Sequence, residues 1–214
     1  DSGYWTLLVR ASDVIIRNFT VSARQMWKGQ PPPKSGGWNE TVAEAARVVA
    51  RMLESFNTDG VDVIGDNVHI HNGVIDVEDD CIGMKGGNNW LVEDLNASGA
   101  GLSVGTLSWG RPVSNVTFRN IRMFETFRAI YVKPKFYSVM NVTYENISVQ
   151  SAYLFPIWVG PAYQELDGSC GLLWPWVPSA AVDAVRKLVP SLTDTSVSLG
   201  TTCKPTDVPI DVTI

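Results

Sequence analysis

Histidine occurs twice and cysteine three times in the 214-residue chain, and both scarcities narrow the chemistry. His69 and His71 stand two residues apart in one run of alternating apolar residues, so a strand sends them to one face. A solvated or turn-packing role suits them better than a metal pair, and neither belongs to a Cys/His signature that would activate a thiol nucleophile. Three cysteines are an odd number. Cys170 and Cys203 bracket a Trp/Pro-rich stretch that a disulfide would close in an oxidising compartment, leaving Cys81 as a buried thiol. The chain lacks any run of eighteen apolar residues, so no membrane span is expected. It also lacks a basic run and an arginine-rich helix, and its net charge is −5, so no nucleic-acid partner is expected. The remaining composition, 45% hydrophobic and 18% charged, is ample for a single core.

A repeat organises that material. The block apolar-x-apolar-polar-Asn/Asp-x-x-apolar occurs at 14–21, 68–75, 90–97, 116–123 and 142–149, with a partial copy from Val212. Its polar positions are Asn18, Asn72, Asp94, Asn120 and Asn146, and the last three intervals are 22, 26 and 26 residues, one supersecondary unit per repeat. A leucine-rich repeat has a similar period but requires leucine at fixed places. Here Val, Ile and aromatic residues alternate over short runs broken by Gly, Asn and Asp, which predicts strands and tight turns. An all-β parallel β-helix follows, with asparagines at matching turns stacked into a ladder.

The expected organisation is one β-helix domain over 1–214, cut at both ends, with coils missing on each side. Two insertions interrupt it. Residues 24–56 hold a Pro/Gly loop and an amphipathic helix that either walls a cleft or shields the coil stack; residues 161–207 hold Trp174, Pro175, Trp176 and a short helical pattern. Six N-x-S/T sequons, at Asn18, Asn39, Asn96, Asn115, Asn141 and Asn146, point to a secreted glycoprotein. Asn39, Asn115 and Asn141 are the candidate acceptors. Inside the repeat block, Asn18, Asn96 and Asn146 are equally explained by the coil itself.

The chemistry concentrates in Asp59, Asp79 and Asp80. They are 20 or 21 residues apart, about one coil, so stacking gathers them if the chain turns a corner between Asp79 and Asp80, which a regular strand would point to opposite faces. Crowded carboxylates share protons, and one protonated acid beside one ionised base is the equipment of a glycosidase. A turn ladder or a calcium site would use the same residues.

Three segments in order carry a resemblance: Asn57-Thr58-Asp59-Gly60-Val61-Asp62, then Asp79-Asp80-Cys81-Ile82-Gly83-Met84-Lys85-Gly86-Gly87, then Ser98 to Leu107. They resemble the polygalacturonase family, glycoside hydrolase family 28, over most of the chain. The resemblance implies a right-handed parallel β-helix that hydrolyses pectic polysaccharide with inversion and needs no metal or other cofactor. It further implies that Asp79 is the general acid and that Asp59 and Asp80 activate water. Two departures stand out. The family's G-H-G reads Gly99-Ala100-Gly101, and its R-I-K reads Tyr131-Val132-Lys133. Lys133 and Lys85 are then expected to clamp a uronate carboxylate, with Tyr131 beside them; Arg128 is a replacement cation, although three strand residues would place it on the opposite face. The cysteine that commonly partners Cys81 would fall at Asn96. The departures favour the rhamnogalacturonan-cleaving and exo-acting branches, in a monomer secreted to the cell wall. A silent carbohydrate-binding β-helix and a calcium-dependent pectate lyase are the alternatives.

Overall fold

A computed structural model describes residues 5–23, 58–105, 110–134, 136–152, 155–160 and 208–214. The contacts divide the chain into a unit of Asp1–Pro33, Ser55–Val159 and Val208–Ile214 and a unit of Lys34–Glu54 and Gly160–Asp207. Both expected insertions, with Asn39, Cys170 and Cys203, lie outside the described residues, so the fold below is that of the first unit.

Among the described residues, eleven strands are all paired in parallel, in two sheets. Sheet A runs β1 (Leu7–Arg10), β3 (Val61–Ile64), the start of β5 (Asp80–Ser98), β6 (Gly101–Val104), β8 (Ile130–Val132) and β10 (Ile157–Val159). Sheet B runs β2 (Val14–Ser22), β4 (Val68–Asp76), the rest of β5, β7 (Val113–Thr126), β9 (Val139–Ala152) and β11 (Ile210–Thr213). Each coil adds one strand to A and one to B, so the chain is a parallel β-helix, with the right-handed winding that parallel crossovers take.

The long strands bend at fixed places. Asn18, Asn72, Asp94, Asn120 and Asn146 all have φ between 52° and 55°, the left-handed region that Asn and Asp tolerate better than other non-glycine residues. A second set stands five residues earlier, at Asp13, Asn67, Asn89, Asn115 and Asn141, with φ between 52° and 62°. Between two corners four residues alternate inward and outward, as in Val116, Thr117, Phe118, Arg119. The corner side chains form two ladders. Asn120 Nδ2 donates to Asp94 Oδ1 at 3.2 Å and Asn146 Nδ2 to Asn120 Oδ1 at 2.9 Å; in the other, Asn67 donates to Asp13, Asn89 to Asn67 and Asn141 to Asn115 at 2.7–2.8 Å. Asn115 and Asn141 are exposed, and each donates a hydrogen bond from Nδ2, the atom to which a glycan would attach.

Inward residues stack coil upon coil. Val61, Ile82, Leu102 and Ile130 form one buried row and Ile70, Val92, Phe118 and Tyr144 another, each fully buried side chain contributing roughly 1.5–3 kcal/mol. The Phe118 and Tyr144 rings lie 4.7 Å apart and nearly parallel. Trp90 enters this core with its indole N–H satisfied by the Gly65 carbonyl at 2.7 Å. Outside, His69 and His71 stack at 4.3 Å and His69 meets Glu93 at 2.7 Å. At Asn120, valine is expected to lower stability by about 1–2 kcal/mol more than glycine does, because both lose the ladder bonds but only valine is strained at positive φ. Denaturant unfolding of the two variants measures the difference.

Candidate active site

The site is built on the outward row of sheet A. Register pairs Leu8 with Asp62, Asp62 with Gly83, Gly83 with Ser103, Ser103 with Tyr131 and Tyr131 with Trp158. Neighbours along this row are one strand spacing apart, about 4.8 Å. Asp59 precedes β3, and Asp80 opens β5 directly after a bend at Glu78 and Asp79. That bend is the corner the sequence requires. One oxygen from each of Asp59, Asp79 and Asp80 lies within 4.8 Å of the others. Asp80 is 1% exposed and Asp59 3%, whereas Asp79 is half-buried and is the member open to solvent.

Two buried lysines compensate the acids. Lys85 Nζ stands 3.0 Å from Asp62, 3.4 Å from Asp59 and 3.5 Å from Asp80. Lys133 Nζ donates to Asp80 Oδ2 at 2.8 Å, and Ser103 Oγ donates to Asp80 Oδ1 at 2.5 Å. Asp80 N–H donates to Asp79 Oδ1 at 2.9 Å. Asp62 is fully buried and its carboxylate overlies Gly83, where a Cβ would force the carboxylate to move. Asp59 Oδ1 accepts no hydrogen bond among the described residues.

These surroundings separate the acids. Burial, then the charge of Asp79, pushes the Asp59 carboxyl up to about 9 against the pull of Lys85. Burial also raises Asp62, to about 6, with Lys85 opposing. Burial would raise Asp80 as well, but the charges of Lys133 and Lys85 and the hydrogen bonds from Lys133 and Ser103 hold it at about 2. For Lys85 and Lys133, burial favours the neutral amine and the surrounding carboxylates outweigh it, so both stay charged. At mildly acid pH the cluster therefore holds an ionised Asp80, a protonated Asp59 and two ammonium groups. A divalent cation would compete with Lys85 for Asp59 and Asp80.

Each sequence candidate within the described residues has a place here. Asp59, Asp79 and Asp80 come together. Lys85 lies inside the cluster, as its internal counter-ion, and Lys133 is engaged with Asp80. Arg128 precedes β8 instead of lying within it, so strand alternation does not govern it, and its guanidinium carbon sits 4.0 Å from the centre of the Tyr131 ring, on the same side. Lys133 Nζ is 4.4 Å from the same ring, so the buried tyrosine packs against both cations. Arg128 Nε also donates to the Ala100 carbonyl at 3.3 Å, joining the two positions at which the family motifs are altered. Cys81 is a buried thiol in the core. Asp62 and Ser103 carry no assigned role in the sequence; their signal is register, since each falls on the row that runs through the acids.

Fold and site together define the class: a parallel β-helix with a lysine-compensated carboxylate cluster on one sheet. The chain belongs to Glycosyl hydrolases family 28, whose family model matches residues 7–213. It is 33% identical over 116 residues to a probable rhamnogalacturonase E of Aspergillus niger, covering 52% of this chain and 25% of that protein. It is 30% identical over 145 residues to a polygalacturonase of Phaedon cochleariae, covering 63% of this chain and 38% of that one. The chain thus spans roughly a quarter to two fifths of these relatives. Among solved structures, endopolygalacturonase I from Stereum purpureum complexed with two galacturonate matches with 25% identity and a TM-score of 0.45, over 66% of this chain and 44% of that chain.

Stability should follow the cluster's protonation. Asp59 and Asp62 are raised in the fold above the unfolded value of about 3.9, so their contribution is full below that value and is lost as pH rises, through about 6 for Asp62 and about 9 for Asp59. Asp80 is lowered, so its contribution is present above about 4 and lost as pH falls towards 2. The unfolding midpoint is expected to be highest near pH 4–5 and to decline towards pH 9, with Asp59→Asn removing much of the decline above pH 6. Thermal unfolding across a pH series reads both effects.

Proposed function

We propose that the protein is a glycoside hydrolase that cleaves pectic polysaccharide by inverting acid–base hydrolysis. The observation that carries this is the meeting of one oxygen each of Asp59, Asp79 and Asp80 within 4.8 Å. Asp79, the solvent-open member, gives its proton to the glycosidic oxygen as the bond to the anomeric carbon breaks. With the shared proton on Asp79, the charge of Asp79 that helps to raise Asp59 is removed and Asp59 is the ionised base; water attacks that carbon and its proton passes to Asp59 Oδ1, which accepts no hydrogen bond among the described residues. Asp80, with Ser103 on one oxygen and Lys133 and Lys85 on the other, stays ionised; it helps orient the water and stabilises the positive charge that develops on the sugar ring. Return of the proton from Asp59 to Asp79 resets the centre, which requires the cluster to share one proton.

The nearest oxygens of the three acids lie closer together than the carboxyl groups of a usual inverting pair, about 6.5–9.5 Å apart. Inversion therefore places the water beside the aspartates, against Asp59 Oδ1, and not in a gap between two carboxyls. Against a covalent route through Asp80, both of its oxygens are engaged.

Arg128 and Lys133, only 2% and 5% exposed at the floor of the site, are the uronate-binding cations. With Ala100 and Tyr131 replacing the family's His and Arg, Arg128 supplies a guanidinium from a different position, supported from below by Tyr131. That arrangement suits a chain whose uronates are recognised differently from those of a plain polygalacturonan, and the match to a probable rhamnogalacturonase supports rhamnogalacturonan as the substrate. Secretion to the cell wall is where such a substrate would be met.

Asp79→Asn should cut reducing-sugar release from rhamnogalacturonan or polygalacturonan by about 10²–10⁴ while leaving the unfolding midpoint in place. The wild-type product should first appear with the opposite anomeric configuration, read by NMR; a retained configuration would make Asp59 the nucleophile. Binding without any hydrolysis would identify a silent carbohydrate-binding β-helix, and an ultraviolet-absorbing unsaturated product lost on chelation would identify a lyase. Arg128→Ala should lower kcat/KM on uronate substrates about ten- to a hundredfold, the loss of a charged hydrogen bond.

A further inference from the structure

Trp158 lies on the outward row of sheet A beside Tyr131. Tyr131 is fully buried, and Arg128 and Lys133 against its ring are nearly so, whereas Trp158 is only partly buried. Its ring tilts at 31° against Phe155, with centroids 5.4 Å apart, so a neighbouring aromatic holds its orientation. Proceeding from the acids along the row, the side chains are Ser103, hydrogen-bonded to Asp80, then Tyr131 with its two cations, then Trp158. Trp158 is two strand spacings from Ser103, roughly 10 Å.

That order has a chemical meaning. The acids act on the bond to be broken, the cations next to them take a carboxylate, and beyond them stands an aromatic face with no need of charge on its ligand. One face of a pyranose ring presents C–H groups of weakly positive character, which match the negative face of an indole. We infer that Trp158 is a sugar-stacking platform for a ring beyond those flanking the scissile bond, with preference for a neutral sugar carrying an apolar face, such as a 6-deoxyhexose. This rests on the proposed pectic substrate, and it adds a position that reads alternation: uronate over Arg128 and Lys133, neutral sugar over Trp158.

The test is calorimetric binding of rhamnogalacturonan and galacturonan oligomers of graded length to the intact protein carrying Asp79→Asn, alone and combined with Trp158→Ala or Trp158→Phe. The Trp158→Ala combination should bind long rhamnogalacturonan oligomers about three- to tenfold more weakly, bind the shortest oligomers unchanged, and lose less on all-uronate chains; Trp158→Phe should recover most of the affinity. Equal affinity with and without Trp158 at every length overturns the platform, as does an equal loss for short and long oligomers, or no binding of any oligomer by Asp79→Asn. Hydrolysis by the wild type with Trp158-independent binding would leave the proposed function standing and remove the platform. Trp158-dependent binding without wild-type hydrolysis would do the reverse.

Discussion

The structure depends on parallel register held from coil to coil. In a β-helix each strand contacts only the coils before and after it, so a side chain is placed by its neighbours one strand spacing away and not by sequence proximity. The row Asp62, Gly83, Ser103, Tyr131, Trp158 exists only because five coils keep step. A slip of one residue would turn every member of a strand to the other face, sending the acids into the core and valines into the cleft. The left-handed asparagine corners guard against that slip. They fix where each coil bends, and the amide ladders connect a bend to the same bend in the next coil.

Secured in that way, the fold can hold a cluster that would otherwise be unfavourable. Buried carboxylates are costly unless paired, and Asp59, Asp62 and Asp80 are all nearly or wholly buried. Lys85 and Lys133 offset the cost unequally. Asp80 receives two ammonium groups and a hydroxyl and is held ionised, while Asp59 receives only the longer contact to Lys85 and keeps its proton. Unequal compensation is how chemically identical side chains come to differ in function. Lys85 is therefore better placed to set protonation than to touch substrate.

The solenoid is legible in sequence because its repeat is strict where the backbone is strained: positive φ admits few residues, so Asn and Asp recur at fixed intervals. The earlier corner set, Asp13 to Asn141, obeys the same rule, and a search for pairs of Asn or Asp five residues apart finds it. Asp59, Asp79 and Asp80 are legible as motifs. Asp62 and Ser103 are not, since an isolated Asp or Ser in a strand has no outward mark of chemistry until register shows what lies beside it. Arg128 is misread by strand alternation because it belongs to the turn before β8, and turn geometry is not periodic.

The same placement makes two separate departures into one. Ala100 and Tyr131 are 31 positions apart in sequence, yet Arg128 touches both, through the Ala100 carbonyl and the face of the Tyr131 ring. A histidine side chain at position 100 would add a second cation close to the guanidinium, and an arginine at 131 would remove the aromatic face on which that guanidinium rests. The small residue, the ring and the displaced arginine are mutually consistent as one arrangement. Positive charge is thereby retained next to the acids while its direction changes: Asp59, Asp79 and Asp80 stand as in the family motifs, and the guanidinium comes from another side.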